Sequence, residues 1–533
     1  MKTNSLLAIL LVSVSLFASL SCSLPLSTSK RWIVDTASGQ RVKLTCVTWA
    51  AHLQPMLAEG LDKKPISHIA AEVISRRFNC VRLTWATFMF TRHAKLNVAE
   101  TFDSLGLKQA KAGLAKNNPF VLNMTHVEAY EAVVHLLGSQ GIMVILDNHV
   151  SYPKWCCAYD DGNGFFGDSY FRPKEWLQGL IMVAKLFNNQ TQVVGMSLRN
   201  ELRGQRQNEN DWYKYMLRGA KEVHKANPNV LILVSGLTWG TDLSFLKTKS
   251  IESNLDNKLV YEAHWYSFSG DPKIWELQPL NRVCANATGW FSAQNGFLMS
   301  SESPSPLFLG EFGFDQRGVN QADNRFLSCL FAYVAEKDLD WGLWALQGSY
   351  YFREGHVGHE ETFGVLDFHW KHLRNSTFPK RFRLIQNMIQ DPNSNVSKSN
   401  ILYHPLSGQC VQVNNKNKLH LKDCKSWTKW SFDGYGATIR LMGTAFCLKA
   451  VGHGLPPILS DDCLSQQSAW KFVSNSKLHL AALDGQGKYL CLQKKSSTSS
   501  EILTRRCICI EDDSDCKENP QIQWFKLLST NVN

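Results

Sequence analysis

Three observations predict an α/β chain built on a closed (β/α)8 barrel, followed by a smaller all-β unit. Eight apolar runs alternate with helical patterns between residues 41 and 348, the composition changes near residue 390, and cysteine and tryptophan then recur in three rounds. The apolar runs cover 41–49, 78–85, 141–147, 193–199, 231–236, 259–264, 306–310 and 340–346. Between them, 65–77, 126–140, 173–187, 210–226 and 321–337 have the length and apolar spacing of helices, with Pro65 and Pro173 suited to helix starts. Eight strands with interposed helices favour closure. An open doubly wound sheet is the alternative, because pattern alone does not distinguish a closed sheet from one with free edges.

The second unit is announced by Asp391-Pro392-Asn393-Ser394-Asn395, the start of a linker over 391–399. Short strand candidates follow at 402–404, 410–413, 419–421, 430–432, 446–449, 470–472, 478–481, 489–492 and 524–527. Cys410 and Cys424 precede Trp430, Cys447 and Cys463 precede Trp470, and Cys491 and Cys507 precede Trp524. A repeat near 40 residues marks a threefold module whose single units cannot bury their own apolar faces. The spacing predicts disulfides Cys410–Cys424, Cys447–Cys463 and Cys491–Cys507, each closing a loop of about 15 residues and contributing roughly 3 kcal/mol by chain entropy. Cys509 and Cys516 form a fourth candidate link, beside an acidic insertion from Glu511 to Glu518.

At 533 residues the chain exceeds one hydrophobic core, so two domains are expected. Residues 1–23 read as a cleaved secretion signal, a short apolar stretch after a polar start and before Ser21 and Ser23. No stable membrane span is expected once it is removed. Fifteen cysteines suit an oxidising destination, although Cys22 lies at the signal's edge. Sequons at Asn123, Asn189, Asn286, Asn375 and Asn395 are glycosylation candidates. The formal charge of +11 is scattered, no nucleic-acid motif appears, and a secreted, extracellular or cell-wall-associated protein is expected.

Two glutamates at strand ends carry the chemistry: Glu201 after Val193–Asn200, and Glu311 in Leu307-Phe308-Leu309-Gly310-Glu311. Rigid strands bring two such carboxyls side by side, as acid-assisted cleavage of a glycosidic bond requires. The ordered set Arg82 (Asn79–Trp85), His149 (Asp147-Asn148-His149), Asn200-Glu201, His264 and Tyr266 (Glu262–Tyr266), Glu311 and Trp344 (Trp341–Trp344) resembles glycoside hydrolase family 5, the retaining β-glycanases that include cellulases and mannanases. The resemblance covers 30–390 and implies a TIM barrel, Glu201 as general acid and base, and Glu311 as nucleophile. It also implies that Arg82 and Tyr266 support Glu311, that Asn200, His149 and His264 contact substrate or neighbours, and that Trp344 stacks on a sugar ring. Its substrate would be a β-linked oligo- or polysaccharide, with no cofactor and no metal. Transfer to a sugar acceptor, or carbohydrate binding with little hydrolysis, are the alternatives.

One departure is Thr84, where many family members have proline. Trp49, Trp155, Trp239 and Trp265 are further candidate stacking platforms. Cys156 and Cys157 are placed to clamp a loop over the cleft, and Asp160 and Asp161 to contact sugar hydroxyls, with a calcium site as a lesser reading. Residues 400–528 resemble a ricin B-type β-trefoil lectin in their cysteines and tryptophans, which implies a second glycan contact. The family's glutamine two residues before each tryptophan is replaced here by Thr428, Ser468 and Ile522.

Overall fold

The computed structural model describes residues 25–251, 254–510, 516 and 518–532. The expected signal over 1–23 and Cys22 lie outside the described residues. Eight parallel strands close on themselves: β1 (Thr45–Trp49), β2 (Cys80–Ala86), β3 (Met143–Val150), β4 (Val193–Ser197), β5 (Leu231–Ser235), β6 (Leu259–His264), β7 (Leu307–Phe312) and β8 (Asp340–Leu343). Closure is made by β8 against β1, with Trp341 opposite Thr45 and Leu343 opposite Val47. The open-sheet alternative is thereby removed. Each expected strand is present, displaced by a few residues at its ends.

The five expected helices form as Ile66–Ser75, His126–Ser139, Pro173–Leu186, Glu209–Ala226 and Gln321–Lys337. The second opens with a capping box, Thr125 accepting from the Glu128 N–H while Glu128 accepts from the Thr125 N–H. The sequence reading missed Leu280–Gln294, a helix whose small and polar residues blur its apolar stripe. It also missed an N-terminal hairpin, Leu26–Ser29 paired with Trp32–Asp35.

Side-chain alternation along the strands divides the barrel into layers. Cys46, Cys80, Ile145, Leu233, Val260 and Phe308 fill the interior, and Leu26 and Ile33 of the hairpin join the same cluster. Cys46 and Cys80 are joined as a disulfide between neighbouring strands. The same inward rows then continue toward the strand C-termini as Arg82, Asp147, Ser197 and Glu262, all fully buried. Period-two geometry thus stacks a charged layer on an apolar one.

Beyond the barrel, twelve short strands form three rounds of four: β9 (Ser399–His404), β10 (Gln409–Val413), β11 (Leu419–Asp423), β12 (Trp430–Phe432), β13 (Ala437–Leu441), β14 (Cys447–Lys449), β15 (Ile458–Ser460), β16 (Ala469–Phe472), β17 (Leu480–Leu483), β18 (Tyr489–Lys494), β19 (Ile502–Arg506) and β20 (Lys526–Thr530). Strands β13, β15 and β19 were not foreseen. Pairings run β9·β12, β12·β13, β13·β16, β16·β17 and β20·β9, and an isolated bridge between His479 and Trp524 links the remaining pair. The four expected disulfides form, with the first three fastening the hairpins β10·β11, β14·β15 and β18·β19. Trp430, Trp470 and Trp524 are fully buried.

The two parts share contacts. Asn281 of the barrel accepts from Trp524 Nε1 at 3.1 Å and from Ser476 Oγ at 2.7 Å, while its amide donates to the Cys509 carbonyl at 2.5 Å. Among the described residues no helix is long and apolar enough to cross a membrane.

Candidate active site

Arg82, at the middle of β2, is the centre of the charged layer. Its Nη1 donates to Glu311 Oε2 at 3.0 Å, its Nη2 to Asn200 Oδ1 at 2.8 Å, and its Nε to Glu262 Oε1 at 3.2 Å. Asp147 lies 3.1 Å from Nη2. A fully buried guanidinium is tolerated only where carboxylates and amides take its N–H groups, and here they hold it firmly charged.

Glu311 ends β7. The Tyr266 hydroxyl donates to its Oε1 at 2.7 Å, so both carboxyl oxygens are held, one by a phenol and the other by Arg82. Burial, the His264 and Arg82 cations and the Glu201 charge act together on this carboxyl, and burial prevails, pushing it up to about 7. Glu201 follows β4 with φ at +40°, in the left-handed region that non-glycine residues seldom occupy. Arg203 Nη1 donates to its carbonyl at 2.7 Å, and the Asn200 N–H donates to the Asn148 carbonyl at 2.9 Å, fixing the turn that aims the carboxyl inward. Its Oε1 lies 3.0 Å from His264 Nδ1.

His264 stands among the acids, with Glu262 Oε1 3.5 Å from its Nε2. Burial lowers the imidazole, but Glu311, Glu201 and Glu262 outweigh it and take the ring up to about 10. Glu262 is itself opposed by burial and carried down to about 2 by Arg82, His264 and Ser197, whose Oγ donates to Oε2 at 2.5 Å. Gly310 makes room for this carboxylate: a Cβ there would lie 2.1 Å from Glu262 Oε1. Sequence reasoning gave no role to Glu262, Asp147 or Ser197. Their signal is an acid or hydroxyl on the same strand face as Arg82 or His264.

The reacting atoms of Glu201, His264 and Glu311 lie within 4.8 Å of one another. Retaining glycosidases hold their carboxyls about 5 to 5.5 Å apart. His149 joins the second cluster of possible ligands with Cys156 and Cys157, whose sulfurs are joined to each other. The His149 Nδ1 is 2.6 Å from Asp147 Oδ2, and its ring stacks at 5.5 Å from that of Trp344.

His149, Glu201, His264, Tyr266, Glu311 and Trp344 line a cleft of about 780 Å³, with Arg82 and Asn200 buried beneath it. The structure brings together all eight expected site residues. Of the candidate platforms, Trp155 and Trp239 line the cleft, whereas Trp49 and Trp265 are core, fully buried with their rings against barrel helices and strands. Asp160 and Asp161 do not line it. Asp161 pairs with Arg203 Nη2 at 2.5 Å and accepts from the Asn163 N–H, so its oxygens brace the Glu201 turn and do not meet sugar. Cys156 and Cys157 line the cleft, with their sulfurs 3.7 and 3.6 Å from Asn200 Nδ2. Sequence reasoning also missed Phe268, Arg353 and Glu361, which come from loops after β6 and β8.

The model of the cellulase family, glycosyl hydrolase family 5, matches residues 39–349. A glycosyl hydrolase 5 family protein of Chamaecyparis obtusa is 48% identical over 533 residues, covering 97% of this chain and 95% of the relative. A solved endocellulase of Pyrococcus horikoshii, 20% identical, covers 69% of this chain and 100% of its own with a TM-score of 0.54. The catalytic domain of the major endoglucanase of Xanthomonas campestris pv. campestris, 21% identical, covers 66% and 97% with a TM-score of 0.52. At such identities these structures speak for the fold alone. The family match and the near full-length relative decide the rest: the chain belongs to glycosyl hydrolase family 5, and it hydrolyses β-glycosidic bonds with retention through its Glu201 and Glu311 cluster.

Proposed function

We infer that the substrate is a β-linked glucan or a related β-glycan, with Glu201 as acid and base and Glu311 as nucleophile. The observation that carries this division is the unequal support of the two carboxyls. Glu311 receives a guanidinium N–H and a phenol O–H, donors that favour its ionised form and aim its oxygens. Double displacement then needs Glu201 to enter carrying the proton that the leaving oxygen receives.

In the first step Glu201 gives that proton to the leaving glycosidic oxygen while Glu311 Oε attacks the anomeric carbon. The C–O bond to the leaving sugar breaks and an ester to Glu311 forms. In the second, Glu201 takes a proton from water, the water oxygen attacks the same carbon, and Glu311 leaves as carboxylate. His264 positions Glu201, and Asn200 Nδ2 meets the 2-hydroxyl of the sugar over Glu311. Trp344 and His149 wall that sugar. The experiment is hydrolysis of β-glucan oligosaccharides followed by NMR of the new anomeric centre. β-product appearing first supports the assignment, and first-formed α-product removes it.

The C-terminal unit reads as a β-trefoil, because its twelve strands fall into three rounds and its pairings run around a ring. A second glycan contact there would rely on exposed polar groups and not on the buried tryptophans. Secretion is supported by the disulfides, and four sequon asparagines, Asn123, Asn189, Asn286 and Asn395, are exposed. Asn375 is half-buried and its Oδ1 accepts from the Thr377 N–H and hydroxyl.

A further inference from the structure

We propose that this enzyme works from the end of its substrate: the cleft accepts one sugar on the glycone side of the scissile bond and releases single residues from the non-reducing terminus. This rests on the Glu201 and Glu311 reading above, which fixes where the glycone sugar lies. That sugar sits over Glu311, with its 2-hydroxyl toward Asn200 Nδ2. Asn200 Oδ1 is already taken by Arg82, and Nδ2 points toward His149, 3.5 Å from Nε2. The glycone site is therefore the corner between Asn200, His149 and Trp344.

Behind that corner the cleft is plugged. Trp155, from the loop after β3, meets the rings of Trp344 at 6.0 Å and Tyr350 at 5.5 Å, both edge-on. Arg353, from the loop after β8, lays its guanidinium 3.3 Å from the Trp155 ring centre and reaches the Glu361 carboxylate at 3.6 Å. Glu361 accepts from Trp344 Nε1 at 3.3 Å and from the Tyr350 hydroxyl. Two loops distant in the chain are thus joined across the cleft by a cation on an aromatic face and a shared carboxylate.

The floor beneath the plug is closed as well. Ala50 and Leu53, in the loop after β1, pack with Tyr350 and Trp155 and are 0% and 1% exposed. Thr84 holds this loop down, its Oγ1 accepting from the Ala51 N–H at 2.8 Å. No residue of the loops after β1 or β2 lines the cleft. A polymer continuing past the glycone sugar would have to cross that ground. On the opposite side the lining continues through Thr238 and Trp239 after β5 and Phe268 to Gly270 after β6, where Phe268 is 54% exposed. The leaving-group side is open. Arg353 and Glu361 also supply charged hydrogen-bonding groups where the terminal hydroxyls of a chain end would lie, in a place where a through-running chain would have no free terminal hydroxyl to present.

The test uses the full chain and a β-linked glucan hexasaccharide labelled at its reducing end. Labelled products should appear as a ladder shortened by one residue at a time, with free monosaccharide from the earliest samples. A hexasaccharide capped by a bulky acetal on its terminal non-reducing sugar should be cleaved at least about tenfold more slowly. Trp155→Gly and, as a milder opening, Arg353→Ala should raise cleavage of the capped chain relative to the free one. Mid-length labelled fragments as first products of the natural enzyme, or equal rates on capped and free chains, overturn the proposal. An aryl β-glucoside separates the two readings. If it is hydrolysed with retention while the hexasaccharide is cut internally, only end action falls; if neither it nor any oligosaccharide is cleaved, the reading of the two glutamates falls and end action with it.

Discussion

Buried histidine takes opposite charge states at His264 in the barrel mouth and at His404 and His479 in the C-terminal unit, while His149, buried beside the cleft but facing Arg82 and the His264 cation, is lowered like the latter two. His264 stands among Glu201, Glu262 and Glu311, and their charges lift it to about 10 against the pull of burial. His404 and His479, in the core of the second unit, are carried down to about 3 by burial, with no carboxylate to oppose it. His404 keeps neutral partners, Ser407 Oγ at 2.8 Å and the Ile522 carbonyl at 3.3 Å. The difference teaches that burial alone does not set a charge state. The barrel concentrates ions where a reaction needs them, and the second unit surrounds these two histidines with no carboxylate and uses disulfides for stability.

The sharpest way to break this comparison is to remove one reacting carboxyl. Glu311→Gln should lower kcat by about 10³-fold or more and Glu201→Gln by about 10²- to 10⁴-fold on an unactivated glycan, with circular dichroism unchanged. Comparable losses from substitutions in the second unit would erase the distinction. There, Trp470→Ala should cost about 3–5 kcal/mol of stability, read by denaturant unfolding, because it empties a fully buried site and orphans the Leu448 carbonyl that its Nε1 now serves. The kcat/KM of the surviving folded protein should stay at the natural value. Replacing Cys447 and Cys463 together with serine should cost about 3 kcal/mol through the loop they close, again without touching catalysis.

The smallest effect is in pH. His264 has a folded value raised to about 10, so its contribution is present below the unfolded value near 6.5 and is lost as pH rises through 10. Glu311, raised to about 7, acts in the same direction at lower pH. His404 and His479 run the other way: their folded values near 3 mean that stability falls as pH drops from about 6.5 toward 3, since the unfolded chain takes up protons the core refuses. His479→Gln should therefore flatten the acid side of the melting-temperature profile and leave the alkaline side alone. An acid limb unchanged by that substitution would show that the second unit does not lose stability through this ring.

The eight barrel strands were legible because each is an apolar run longer than its neighbours' interruptions, and Glu201 and Glu311 because each ends such a run. Arg82, His149, Asn200, His264, Tyr266 and Trp344 were readable only as an ordered set. Glu262 and Asp147 were not, since their one signal, an acid on an inward strand face, gains meaning only once its cation is located across the barrel. The same holds for Arg353 and Trp155, whose contact joins loops after β8 and β3. Strands β13 and β15 escaped because nearly all of their residues are half-exposed or exposed, and β19 because its buried run, Ile502 to Thr504, is only three residues long before Arg505 and Arg506. Trp49 and Trp265 were misplaced as platforms because strand-end tryptophans face either cleft or helix, and only the direction of the side chain decides.

Gly310 shows how far the site's demands reach from the sugar. Its missing methyl is the space that Glu262 Oε1 occupies. Even alanine there would force that oxygen away from Arg82 and His264, so inherited loss of function can arise at a position that no inhibitor or substrate ever meets. Replacement of Gly310 by any other residue should therefore lower activity although the position never touches the sugar.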